Sequence, residues 1–81
     1  MKIILARITE HPLQSGRYML NCPITAIPPF FGSLTECESK LERFETMLQR
    51  RFKMLDKKTK DNAIEYAVKH YGYNREELEM I

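Results

Sequence analysis

The chain is poor in glycine, histidine and aspartate, and these shortages exclude more than any motif establishes. Three glycines in 81 residues leave little material for a phosphate-cradling loop, and no glycine-rich or nucleophile-elbow pattern occurs. The histidines are His11 and His70, and the aspartates are Asp56 and Asp61. His11 falls in a turn region and His70 near a helix end, where its cation suits the dipole. No metal-ligand spacing and no acid–base pair emerges, so the chain reads as non-enzymatic, with no cofactor and no metal. Cysteine is scarce as well. Cys22 and Cys37 do not make a secreted disulfide framework. Both fall at apolar positions and read as small buried hydrophobes, although a bridge between them stays open at this stage. No apolar run approaches the ~20 residues of a membrane span. The stretch from Met1 to Ala6 turns polar at Arg7, too early for an export signal. The chain reads as cytoplasmic.

What is present is one long amphipathic segment, Ser33 to about Lys58. Leu34, Cys37, Leu41, Phe44, Leu48, Phe52 and Leu55 recur at steps of three and four, one stripe of a helix. Met47 and Met54 are expected to widen that stripe. Ser33 with Glu36 and Thr35 with Glu38 both fit the capping-box spacing, and Pro28, Pro29 and Gly32 argue against an earlier start. About 25 residues at roughly 1.5 Å each would reach about 37 Å. A globule of this size has a radius of gyration of about 12 Å. Such a helix either breaks near Arg50–Lys53 or offers an apolar flank to a partner, a second copy of the chain included.

Around it the sequence places an α+β domain spanning residues 1–81. Lys2 to Thr9 reads as a strand, with Ile4, Ala6 and Ile8 on one face. Arg17 to Cys22 reads as a second strand, with Tyr18, Leu20 and Cys22 on one face, completing an antiparallel hairpin. Ile24 to Gly32 has room for a third short strand at the sheet edge. After a polar break at Lys57–Lys60, Asp61 or Asn62 is expected to cap a second helix with Ala63, Ile64, Ala67, Val68 and Tyr71 on its apolar face. Gly72 suits the C′ position, and Asn74 with Glu77 opens a short third helix. The expected architecture is a hairpin packed on one long helix, followed by a helical hairpin.

Two resemblances concern partners. Ala63 to Ile81 resembles a helix-turn-helix in spacing, with Ala67, Tyr71, Gly72, Leu78 and Ile81 near that motif's small, apolar and turn-glycine positions. The resemblance implies a recognition helix at Asn74–Ile81. That helix carries Glu76, Glu77 and Glu79 against Arg75, which repels phosphates, and a hairpin closing the core explains the same residues. The order of Gly16, Tyr18, Pro23 and the helix opening Leu34-Thr35-Glu36 resembles HicB-type antitoxins, which implies a partial ribonuclease-H-like fold and a small toxin as partner. The proline–acidic and proline–glycine–cysteine signatures of those proteins are missing, and no residue is carried across.

Net charge is +2, but its distribution is uneven. Residues 33–49 hold four acidic and two basic residues, whereas residues 50–60 hold six basic residues against Asp56. Two surfaces follow. The first joins the acidic half of the helix, Glu38, Glu42 and Glu45, to the stiff apolar connector with Phe30 and Phe31, and would dock a protein. The second is the basic stripe Arg50, Lys53, Lys57 and Lys60, whose steps of three and four would put them on one face of a continued helix, with Arg51 and Lys58 beside them, able to neutralise phosphates of a nucleic acid. The expectation is a stoichiometric protein-binding module, an accessory, regulatory or inhibitor protein. Nucleic-acid binding through the basic stripe is the alternative.

Overall fold

The computed structural model describes residues 2–25 and 27–81. Its elements are β1 Arg7–Glu10, β2 Tyr18–Asn21, β3 Phe30–Gly32, α1 Leu34–Lys53, α2 Lys57–Tyr71 and α3 Arg75–Glu79. The strands form one antiparallel sheet in the order β1-β2-β3, α1 packs on the sheet, and α2 packs with α3. The fold is α+β, as the periodicities indicate.

Pleating sends alternate residues to opposite faces. The row Ile8–Leu20–Phe30 is in register across the strands, beside the row Thr9–Met19–Phe31. Leu20 is completely buried, so the first row faces α1 and the second faces away. The hairpin loop is closed by the His11 amide donating to the Arg17 carbonyl at 2.7 Å. Gly16 takes φ +81° within it, a conformation costly for residues with a Cβ.

Strand pairing begins later than the alternation at Lys2–Thr9 suggests, because only Arg7–Glu10 joins the ladder. Leu5 and Ala6 are buried, and side chains rather than a strand satisfy their backbone. Both amides donate to the Glu45 carboxylate, Leu5 at 3.0 Å and Ala6 at 2.7 Å. The Leu5 carbonyl accepts from the Tyr73 hydroxyl at 2.7 Å.

α1 starts where the local chemistry directs. The Ser33 hydroxyl accepts from the Glu36 amide, and the Glu36 carboxylate accepts from the Ser33 amide at 3.1 Å. That backbone hydrogen bond holds the Glu36 carboxyl below its ordinary pKa. The helix does not run to Lys58. It ends at Lys53, Met54 donates back to the Arg50 and Arg51 carbonyls, and Asp56 turns extended at ψ 161° before α2 begins at Lys57. Lys57–Lys60 is therefore the first turn of the second helix and not a polar break, and Asp56 takes the cap position expected at Asp61 or Asn62. The reason is packing. In a straight rod Ile64 would sit about 18 Å beyond Phe52, whereas both belong to one buried cluster with Leu5, Leu20, Leu48, Ala67 and Leu78. The bend stands in for the missing helix length, and the molecule still extends over 38 × 23 × 19 Å. Gly72 ends α2 at φ +68°. The Asn74 side chain accepts from the Glu77 amide to start α3. Tyr71, expected in the core, is exposed beside Tyr66, while Tyr73 is buried. Cys22 and Cys37 are buried free thiols, and burial pushes the Cys37 thiol up.

Candidate functional site

α1 has two flanks that do different work. Successive helical residues are about 100° apart, so Glu38, Glu42, Glu45 and Gln49 follow one side of its core stripe. Lys40, Arg43, Met47, Arg51 and Met54 follow the other.

On the first flank the predicted acidic face does not survive as drawn. Glu38 and Glu42 are exposed, but Glu45 has 0% exposure and is the buried charged residue of the described chain. Its two oxygens receive the amides of Leu5 and Ala6, and one also receives the Gln49 side-chain amide at 2.7 Å. A buried carboxylate is tolerated when donors replace its lost water, and Glu45 has them. It is a structural clamp and is not available to a partner. Tyr73 closes the same clamp from the other side. Burial pushes its phenol up to about 12, and the Arg7 guanidinium lies 4.1 Å from its ring centre.

The predicted pairing of the acidic face with Phe30 and Phe31 also comes apart. Phe30 is half-buried against the second flank of α1, where Lys40 Nζ lies 4.8 Å above its ring. Phe31 alternates to the open face of the sheet, 39% exposed, with His11 and Arg17 against its ring at 5.7 and 5.5 Å. The structure thus places Phe30, Phe31 and Glu38/Glu42 on three different surfaces.

The second flank, which the sequence does not single out, carries several concavities; a further one of about 380 Å³ lies at the hairpin loop, lined by Gln14, Ser15, Gly16, Arg17, Gly32 and Ser33. Phe30, Lys40, Arg43, Phe44 and Met47 line one shallow hollow of about 270 Å³. Farther along, Arg51, Met54 and Leu55 line another. Sharing Arg51 and Leu55 with it, a cleft of about 240 Å³ opens between the end of α1, the start of α2 and the connector, reaching Ile24, Thr25, Phe52, Thr59 and Ala63. Met47 is 43% exposed and Met54 85% exposed, so the two methionines leave the core they were expected to widen. The available signal was the 3-4-4-3 spacing of Lys40, Arg43, Met47, Arg51 and Met54.

The bend regroups the basic stripe. Arg50, Arg51 and Lys53 end α1, and Lys57 and Lys58 open α2, all exposed. Lys60 is drawn inward, donating to the Ile81 carbonyl at 2.8 Å with its ammonium 5.3 Å from the Phe52 ring centre. The alignment expected for one continuous helix therefore does not form. At the end of α1 the basic residues complement the helix dipole. At the start of α2 they oppose it, because Asp56 makes no side-chain cap bond and the first turn has no acidic residue. Positive potential is concentrated at the elbow.

Among the described residues no group of His, Cys, Asp and Glu is arranged to hold a metal ion, and no helix is long and apolar enough to cross a membrane. No protein-family description, curated protein or solved structure matches this chain.

Proposed function

We propose that this chain is a small non-enzymatic protein-binding module of the cytoplasm, acting stoichiometrically as an accessory, regulatory or inhibitor protein, and that it docks through the Lys40–Met54 flank of α1. The single observation that supports this reading is the exposure of Met47 and Met54 beside apolar hollows. Exposed large apolar side chains grouped around concavities mark interaction surfaces, and methionine adapts its shape to what it meets. A polar margin of Lys40, Arg43 and Arg51 surrounds the apolar floor, the usual anatomy of a docking patch.

Nucleic-acid binding is the second reading. Its support is the exposed cluster of Arg50, Arg51, Lys53, Lys57 and Lys58 at the elbow. Phosphates would be gripped there, but the flank offers methionine where base stacking calls for aromatic rings. A second copy of the chain is the other protein partner that the apolar flank would accept.

A pull-down separates these readings. The wild type is compared with a Met47→Asp/Met54→Asp variant and with an Arg50, Arg51, Lys53, Lys57 and Lys58 charge reversal, each with and without nuclease. A partner protein that resists nuclease and is lost with the methionine pair supports docking. Nucleic acid recovered by the wild type and lost only with the charge reversal would replace it. Sedimentation at several concentrations decides self-association, which is refuted by a single-chain mass throughout.

A further inference from the structure

The flank has a length, a charge and a rhythm, and together these narrow what can lie on it. Its apolar stations are the Phe30–Met47 hollow and the hollow at Met54 and Leu55, which shares Arg51 and Leu55 with the elbow cleft. Met47 and Met54 are seven residues apart in sequence, or about 10 Å along the α1 axis. That is the distance between apolar side chains at i and i+7 of a second helix lying alongside, the pattern of helix-in-groove recognition. The charge beside those stations is predominantly positive, with Asp56 at the elbow as the exception. Lys40, Arg43, Arg50 and Arg51 run along the flank, Lys57 and Lys58 stand at its end, and Glu38 and Glu42 lie on the far side of α1. The nearest carboxylate on the flank, Glu36, is occupied in the capping box. The elbow cleft also holds the Thr25 hydroxyl, which is buried and has no hydrogen-bond partner among the described residues. A buried polar group of that kind is rarely left unpaired in a finished assembly.

Resting on the docking reading above, we infer that the occupant of this flank is an acidic amphipathic helix. Its apolar side chains at i, i+4 and i+7 would fill the two hollows while its carboxylates meet Lys40, Arg43 and Arg51. Such an occupant would also add negative charge to the lysine-rich first turn of α2, where Asp56 makes no side-chain cap bond, and negative charge is favourable at that end of a helix.

The test uses the full chain and a fluorescein-labelled synthetic peptide with leucines at i, i+4 and i+7 of a glutamate-rich helix. The controls are a scrambled peptide of the same composition, whose leucines share no face, and a single-stranded oligonucleotide of similar charge. Anisotropy reads affinity, and the Met47 and Met54 methyl resonances read location. The expected result is saturable binding that shifts both methyls and weakens as salt rises from about 50 to 300 mM, because the contacts are exposed charges. It should weaken at least tenfold for Met47→Asp/Met54→Asp and for Arg43→Glu/Arg51→Glu, equivalent to about 1.4 kcal/mol. Glu38→Lys/Glu42→Lys on the opposite flank should change it less than threefold. Equal binding of the scrambled peptide, displacement by the oligonucleotide, or unshifted methyls would each overturn the inference. If the peptide fails to bind while the methionine pair still abolishes partner recovery in the pull-down, the acidic helix is refuted and the docking surface stands. If both fail, the docking reading falls with it.

Discussion

Replacing Glu45 with alanine removes the acceptor for two buried amides. Leu5 and Ala6 donate to its carboxylate at 2.7–3.1 Å, and both residues are buried, so water cannot freely take the acceptor's place. An orphaned buried donor costs about 1–3 kcal/mol. Two such donors give a loss of about 4 kcal/mol, before any cavity left by the side chain is counted. A domain of this length has a total stability of about 4–12 kcal/mol. With a urea dependence of about 1 kcal/mol/M, the midpoint should fall by about 4 M. Glu45→Gln is the informative companion. The amide oxygen can still accept from both Leu5 and Ala6, as Oε1 does now. Its new NH2 would face the Gln49 amide, at present 2.7 Å from the carboxylate, unless Gln49 flips. That adjustment should cost about 1–2 kcal/mol. The assay is urea unfolding followed by circular dichroism at the helical band. A loss below about 1 kcal/mol for Glu45→Ala would refute the clamp. Equal losses for the two variants would show that charge, not the acceptor geometry, holds residues 2–6.

Tyr73→Phe should cost about 1 kcal/mol through the lost bond to the Leu5 carbonyl, read by the same unfolding curves. It should also change the alkaline limb. The folded-state pKa of Tyr73 is about 12, above its ordinary value of about 10. The contribution of the neutral phenol is complete below about pH 10 and is lost as pH rises toward 12. The wild type should therefore lose stability over that window more steeply than Tyr73→Phe, and parallel curves would refute the assignment. Gly72→Ala has open space for its Cβ but keeps φ +68°, so thermal unfolding should register a loss of about 1 kcal/mol from backbone strain alone. Ser33→Ala should lose about 1 kcal/mol with the capping box, visible as a lower urea midpoint. Lys58→Glu should instead stabilise α2 by about 0.3–1 kcal/mol, because it places negative charge in a first turn that has none, and added salt should shrink that gain.

What could be read from the sequence was local. The Ser33–Glu36 box, the Gly72 stop and the Asn74–Glu77 start each involve residues within a few positions, so their chemistry is visible as spacing. A break near Arg50–Lys53 could be expected from length alone, as one of two outcomes, and α1 does end at Lys53, but no local signal marks the bend at Met54–Asp56. No glycine or proline marks it, and the run of steps continues through Leu55. The chain turns because Ile64 and Ala67 gain a core with Phe52 only by folding back. Glu45 misled for a related reason. As one of four glutamates on an acidic half-helix it reads as solvated, and the amides it receives lie 39 and 40 residues earlier in the sequence. Phe30 and Phe31, neighbours in sequence, were read as one apolar unit, but membership in a strand assigns them to opposite faces. The flank of Lys40, Arg43, Met47, Arg51 and Met54 was overlooked because hydrophobic periodicity assigns methionines to the interior, and only the packed helix shows which of them the sheet fails to reach.

The side-chain clamp on residues 2–6 has a consequence for the order in which the molecule is assembled. Leu5 is joined to Glu45 across 40 residues and to Tyr73 across 68. Contacts of such separation form late, because the chain loses loop entropy before they reward it. During synthesis the hairpin and α1 can gather as soon as they emerge. Residues 2–6, although made before α1, can meet Glu45 once α1 has emerged, but the clamp is complete only when Tyr73, after α2, has left the ribosome. Until then Leu5 has neither its hydroxyl partner nor the tyrosine ring that covers it. Within the described residues, a segment made early is among the last to be fully secured, held in that interval from the Glu45 side alone.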